Sequence, residues 1–152
     1  MQADCKQHNK EIQTTMKKSN IMAALALAGA AFTMTACSST QELNGEWNVT
    51  SIEGNTYTPA EDQTAAFMGF DTKQKRMFGS AGCNRIFGSL NTKGHNIDFG
   101  AVGSTRMMCA DMKGEDAMLK ALQKVKKYQV EGGSVLTLKA EDGTPLIVLK
   151  KK

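Results

Sequence analysis

The chain has 152 residues, with nineteen Lys and Arg against fifteen Asp and Glu and a formal charge of +4, which is the length of one domain and hardly of two. The single basic run, Lys150-Lys151-Lys152, has no aromatic residues interleaved with it and reads as a solvated tail. A nucleic-acid partner is not expected, because phosphate binding needs several clustered cations and single-strand binding needs stacking platforms. The four cysteines, Cys5, Cys37, Cys83 and Cys109, contain no C-x-x-C pair, so neither a zinc ribbon nor a thioredoxin-type centre is indicated.

Residues 1–15 are polar and aperiodic and precede a second methionine, Met16, followed by Lys17 and Lys18 and an apolar run from Ile21 to Phe32. That pattern is a positive n-region and an h-region of signal-peptide length, too short for the ~20 apolar residues of a spanning helix. Translation is expected to start at Met16, which removes Cys5 and His8 from consideration. The run ends Met34-Thr35-Ala36-Cys37-Ser38, which resembles the lipobox of bacterial lipoproteins. The resemblance implies cleavage before Cys37 and acylation of its thiol, with several acyl chains giving stable membrane attachment. Cleavage after Ala36 to leave a free thiol is the alternative, disfavoured by bulky Met34. Residues 1–36 are thus read as extension and signal peptide, 37–42 as a lipidated tether and 43–150 as the folded domain. Ser38, where an Asp is absent, implies an outer-membrane destination with the domain facing the periplasm or the cell surface. From Cys37 onward fifteen basic and thirteen acidic residues leave a charge of only +2.

Within the domain, Glu46 to Ile52 alternates as a strand that buries Trp47 and Val49. Further strands are predicted over Thr64 to Phe70, Arg76 to Ala81, Phe87 to Thr92 and Asn96 to Phe99, the last with Ile97 and Phe99 inward. Asp111 is the candidate N-cap of one helix, whose apolar face is Ala117, Met118, Ala121, Leu122 and Val125. Three strands follow, over Tyr128 to Val130, Val135 to Leu138 and Leu146 to Leu149. The turns between them, Gly132-Gly133 and Asp142-Gly143, carry hairpin chemistry. With no crossover helices to link parallel strands, the fold class is α+β. It comprises a mostly antiparallel, strongly curved or barrel-like sheet of seven to eight strands, covered by one α-helix. Met107, Met108, Met112 and Met118 are read as core filling.

Two short segments concentrate the unusual residues: Gly82-Cys83-Asn84-Arg85 with Gly88, and Thr105-Arg106-Met107-Met108-Cys109. Together with the helix and Leu136-Thr137-Leu138, they resemble the META domain, over roughly Leu43 to Lys150. The resemblance implies a compact, mostly sheet α+β domain associated with heat or antibiotic stress in the envelope, and it brings no established activity or ligand. In an oxidising compartment Cys83 and Cys109 could be a structural disulfide, a buried reduced pair or a redox-active pair, and a structural bridge is expected. Asn84, Arg85, Thr105 and Arg106 are candidates for a polar pocket that takes an anion between two guanidiniums. The competing reading has Asn84 and Thr105 capping turns and the arginines lying over apolar surface.

No catalytic constellation is expected. His95 follows a turn glycine, there is no G-x-S-x-G, Walker or H-E-x-x-H pattern, and Glu115 and Asp116 are adjacent on a helix and so point apart. No metal or cofactor is expected either. The reading is a lipid-anchored, non-enzymatic envelope protein that binds or scaffolds under stress. Its membrane contact is the N-terminal lipid, and its protein or small-molecule partner is not named by the sequence. A thiol-based sensor using Cys83 and Cys109, or a small-molecule binder in the curved sheet, is the alternative.

Overall fold

A computed structural model describes residues 42–152 of the chain. These belong to one compact unit, Ala36–Lys152; the other unit, Met1–Thr35, lies outside the described residues, as do Cys5, His8, Met16 and the acylation candidate Cys37. The elements run β1 (Gly45–Ile52), β2 (Asn55–Thr56), β3 (Phe67–Asp71), β4 (Arg76–Ser80), β5 (Arg85–Ser89), β6 (Asn91–Lys93), β7 (Asn96–Asp98), β8 (Gly103–Ser104), α1 (Lys113–Lys124), β9 (Lys127–Glu131), β10 (Val135–Lys139) and β11 (Pro145–Lys151).

All strand pairs are antiparallel, in the order β6-β7-β9-β10-β11-β1-β3-β4-β5-β8, with β2 folded onto the end of β1. The sheet curls into a half-barrel, and two facts require it. Phe70 on β3 and Phe99 just after β7 stack with centroids 6.0 Å apart. Five pairing steps separate those strands, which in a flat sheet would hold them about 24 Å apart at ~4.8 Å per step. In addition β5 runs into β6 with only Leu90 between, so one length of chain pairs with β4 and then with β7 near the far end of the strand order.

The inward row Trp47–Met68–Gly79–Ile86 and the next row, Phe70–Met77, meet Leu136, Leu138, Ile147 and Leu149 from the other half of the curl. Trp47 is fully buried and donates its indole N–H to the Leu43 carbonyl at 2.8 Å, so its one polar atom is satisfied. Helix α1 lays Met118, Ala121 and Leu122 over β1 and β11, continued by Val125 at its C-cap. In the β9–β10 hairpin Glu131 pairs with Val135 across Gly132, Gly133 and Ser134; both glycines have positive φ, and the Ser134 N–H closes the turn onto the Glu131 carbonyl at 3.2 Å.

Several expectations need correction. Among the described residues the sheet has eleven strands rather than seven to eight. Phe87 to Thr92 divides at Leu90, whose side chain is buried and whose N–H goes to the Lys75 carbonyl at 2.8 Å. The two-residue strands β2 and β8 are too short to show a period of two. The strand expected from Thr64 begins at Phe67, because the Thr64 hydroxyl is turned to the Gly82 carbonyl at 3.2 Å. The N-cap position is Met112 rather than Asp111, although the Asp111 carboxylate accepts the Lys113 N–H at 2.9 Å. Of the four methionines read as core, only Met118 is buried; Met107 and Met108 are exposed and Met112 is half-buried.

Candidate functional site

The link from β4 to β5 is Ala81-Gly82-Cys83-Asn84. Gly82 holds φ at +115°, a region that L side chains rarely adopt, and the Ala81 N–H closes the turn onto the Asn84 carbonyl at 2.9 Å. Cys83 is bonded to Cys109, with Cα atoms 6.1 Å apart and a sequence separation of 26. The bridge carries the segment after β8 across the start of β5.

Asn84, buried beneath that bridge, is the organising residue. Its amide nitrogen donates to Glu115 Oε1 at 2.8 Å and to the Met107 carbonyl at 3.1 Å. Its amide oxygen accepts the Thr105 hydroxyl and the Met107 N–H, both at 2.7 Å. Its backbone N–H donates to Glu115 Oε2 at 2.8 Å. With its carbonyl bonded to Ala81, every donor and acceptor of the residue is used. Thr105 completes the latch: its hydroxyl oxygen accepts the Arg85 N–H at 3.1 Å and its own N–H donates to the Arg85 carbonyl at 3.0 Å.

Glu115 is buried as the third residue of α1, where an acid also faces the favourable end of the helix dipole. Tyr57 lies alongside. A Cβ added at Gly82 would sit 3.1 Å from its hydroxyl, and one added at Gly114 would sit 3.1 Å from its ring. Burial pushes the Tyr57 phenol above its ordinary range; a hydrogen bond from the Ala66 backbone opposes this and the nearby Glu115 charge reinforces it. Asn84 and Thr105 therefore meet in one hydrogen-bonded cluster. The Arg85 and Arg106 side chains are exposed, and neither guanidinium has a hydrogen-bond or ion-pair partner among the described residues.

Outside this corner the sheet presents an aromatic face. Phe78 covers Gly69 and Phe87 covers Gly103, each ring occupying the space where a Cβ would stand. With Phe67 they floor a groove of about 1060 Å³, walled by the Cys83–Cys109 bridge, Met107 and Arg85 on one side and reached by Lys152. The Lys152 ammonium lies 5.0 Å from the centre of the Phe67 ring and 2.8 Å from a Glu46 carboxylate oxygen. The groove is on the outer face; the interior of the curl is filled by the core.

Sequence reasoning weighed Glu115 only as half of a carboxylate pair with Asp116, and it did not single out Tyr57 or the phenylalanine face. For Glu115 a signal existed: positions 115, 118 and 122, continued by 125 at the C-cap, form the buried stripe of α1, and an acid on that stripe needs a partner. For the groove the signal was Phe67-Met68-Gly69-Phe70 and Met77-Phe78-Gly79, apolar on both faces where alternation would predict polar residues outside.

Among the described residues, an antiparallel half-barrel covered by α1 and cross-linked at the mouth of an outer aromatic groove defines the class of this domain. The chain belongs to the META domain family, whose model matches residues 40–152. Comparison with functionally curated proteins finds no match. Among solved structures, the chain is similar to a protein from Burkholderia xenovorans determined by NMR. The two are 24% identical with a TM-score of 0.59, and the alignment covers 91% of this chain and 98% of that one. A DUF4847 family protein from Bacteroides vulgatus ATCC 8482 is similar at 15% identity and a TM-score of 0.50, covering 75% of this chain and 96% of that one. At these identities the likenesses speak to the fold.

Proposed function

We propose that this protein is a lipid-anchored binding module of the bacterial cell envelope, held in the membrane through Cys37 and engaging a partner through its META domain under heat or antibiotic stress. Binding rather than chemistry is the function the geometry favours. The observation that carries this is the pairing of a latch with a groove. The polar atoms of Asn84, and with them Glu115 and Thr105, are spent on holding backbone, while the aromatic groove beside them is open. Clefts of roughly 300–1,000 Å³ with mostly apolar linings are the usual form of ligand sites.

Two measurements test the reading. Cys37→Ala is expected to leave the protein unprocessed or outside the detergent phase, and unchanged detergent partitioning removes the anchor. A thermal-shift screen of amphiphilic ligands is expected to yield a stabiliser, worth about 2.7 kcal/mol at 100 times its Kd. That stabilisation should vanish in Phe78→Ser. A hit of equal strength in the variant removes the groove from the account.

A second reading, a thiol sensor, draws support from the half-buried position of Cys83 and Cys109 at the groove wall. Rapid reversible appearance of free thiols under mild reductant favours it; a pair that stays oxidised sinks it.

A further inference from the structure

Among the described residues, three large hydrophobic side chains stand open to water: Phe87 at 56% exposure, Met107 at 61% and Met108 at 95%. They belong to one corner. Phe87 is on β5 opposite Gly103 of β8, Met107 is hydrogen-bonded by backbone to Asn84, and Met108 is next in the chain. The methionines are not on a slack loop. The N–H and carbonyl of Met107 are both engaged by the Asn84 amide, and Cys109 is tied down by the bridge to Cys83. The backbone is thus clamped on both sides of Met108, so its side chain is held out in water rather than free to fold onto the sheet. Flanking the corner are Arg85 and Arg106, exposed and without a carboxylate partner among the described residues. The carboxylate lining the groove, Asp62, comes from a different loop.

We infer that this corner is a second, peripheral membrane contact: Met107, Met108 and Phe87 enter the interfacial zone of an anionic phospholipid surface while Arg85 and Arg106 engage its phosphates. The shape and the charge both select that occupant. A protruding thioether pair can bury its apolar surface in the interfacial zone of a lipid layer, which deforms around it. Two unpaired guanidiniums beside an apolar tip match a headgroup layer, which places phosphate directly above acyl chain, and long arginine side chains reach back to that layer as the tip enters. The contact stands on this corner alone and does not require acylation of Cys37.

The test uses the full chain with vesicles and a position-specific probe. Met108→Trp adds an indole at the tip, while Trp47, fully buried, supplies a constant background measured in the unsubstituted chain. With phosphatidylglycerol vesicles the added emission is expected to move to shorter wavelength and to be quenched by brominated acyl chains. With phosphatidylcholine vesicles or high salt the effect should shrink. Adding Arg85→Gln and Arg106→Gln should weaken insertion on the anionic vesicles about thirtyfold. Lys93→Trp, at an exposed site beside the β6–β7 turn, is the control that should stay unquenched. The inference is overturned if the probe at 108 stays as open to aqueous acrylamide with vesicles as without, or if the two probe positions quench alike. It is also overturned if the probe at 108 responds only when a second protein is present, which assigns the corner to a protein partner. Failure of the Cys37 anchor shows separately, as loss of detergent partitioning with the response at 108 intact.

Discussion

The latch can be tested by a change of one atom. Asn84→Asp keeps the shape of the side chain and replaces the amide nitrogen, which now faces Glu115 Oε1 at 2.8 Å and the Met107 carbonyl at 3.1 Å, with an oxygen. Two carboxylates at that separation in a buried site cannot both remain ionised, so the folded variant takes up a proton. Protonating a carboxyl of ordinary pKa near 3.9 at pH 7 costs about 4 kcal/mol, at ~1.4 kcal/mol per pH unit. The lost bond to the Met107 carbonyl adds about 1 kcal/mol. The total, about 5 kcal/mol, is a large share of a domain stability that is typically ~5–15 kcal/mol. The pH dependence follows in sign. The folded variant holds a proton that its unfolded chain releases, so the deficit relative to the natural chain grows as pH rises. It should fall to roughly half by pH 5. Urea denaturation of both proteins at pH 5 and pH 7, with unchanged m-values, measures the gap. A gap at pH 7 within ~0.5 kcal/mol, or one that does not move with pH, refutes the latch as drawn.

Two further outcomes are expected. Replacing Cys83 and Cys109 together by Ala should lower stability by about 3–4 kcal/mol, because the unfolded chain loses the closure of a loop with a sequence separation of 26; a loss under ~1 kcal/mol in guanidinium denaturation would contradict this. Burial raises the Tyr57 phenol above the ordinary value of 10.0, so its contribution is fully present below pH 10 and is lost as pH rises through the higher folded value. The alkaline decline in stability should therefore be shallower in Tyr57→Phe, read from thermal midpoints across that range.

Much of the architecture can be read along the chain. Trp47 and Val49, Ile97 and Phe99, and the stripe 118, 121, 122 and 125 are buried as their spacing indicates, since periodicity is a local property. Gly132-Gly133 turns its hairpin because positive φ at two successive residues is a matter of those residues alone. The paired motifs around Cys83 and Cys109 carry the family resemblance, and the sulfur bridge joins them. The strand count was less legible: a hydrogen bond from Leu90 to Lys75 splits one apolar stretch in two, and nothing within that stretch specifies it.

By itself, then, the amino-acid sequence determined the class of fold, most of the inward residues and the two segments that matter. Tertiary structure alone decided what those segments do. Asn84 and Glu115 are 31 positions apart, and whether the Glu115 carboxylate accepts both the Asn84 side-chain amide and its backbone N–H depends on how closely α1 settles against the curl. The same holds for Phe67, Phe78 and Phe87, which form one face only because strand register stacks them, and for Met107 and Met108, which composition assigns to a core and closure leaves outside. Periodicity and turn chemistry act over a few residues; burial is settled by the whole chain at once, when each side chain competes with every other for the same interior.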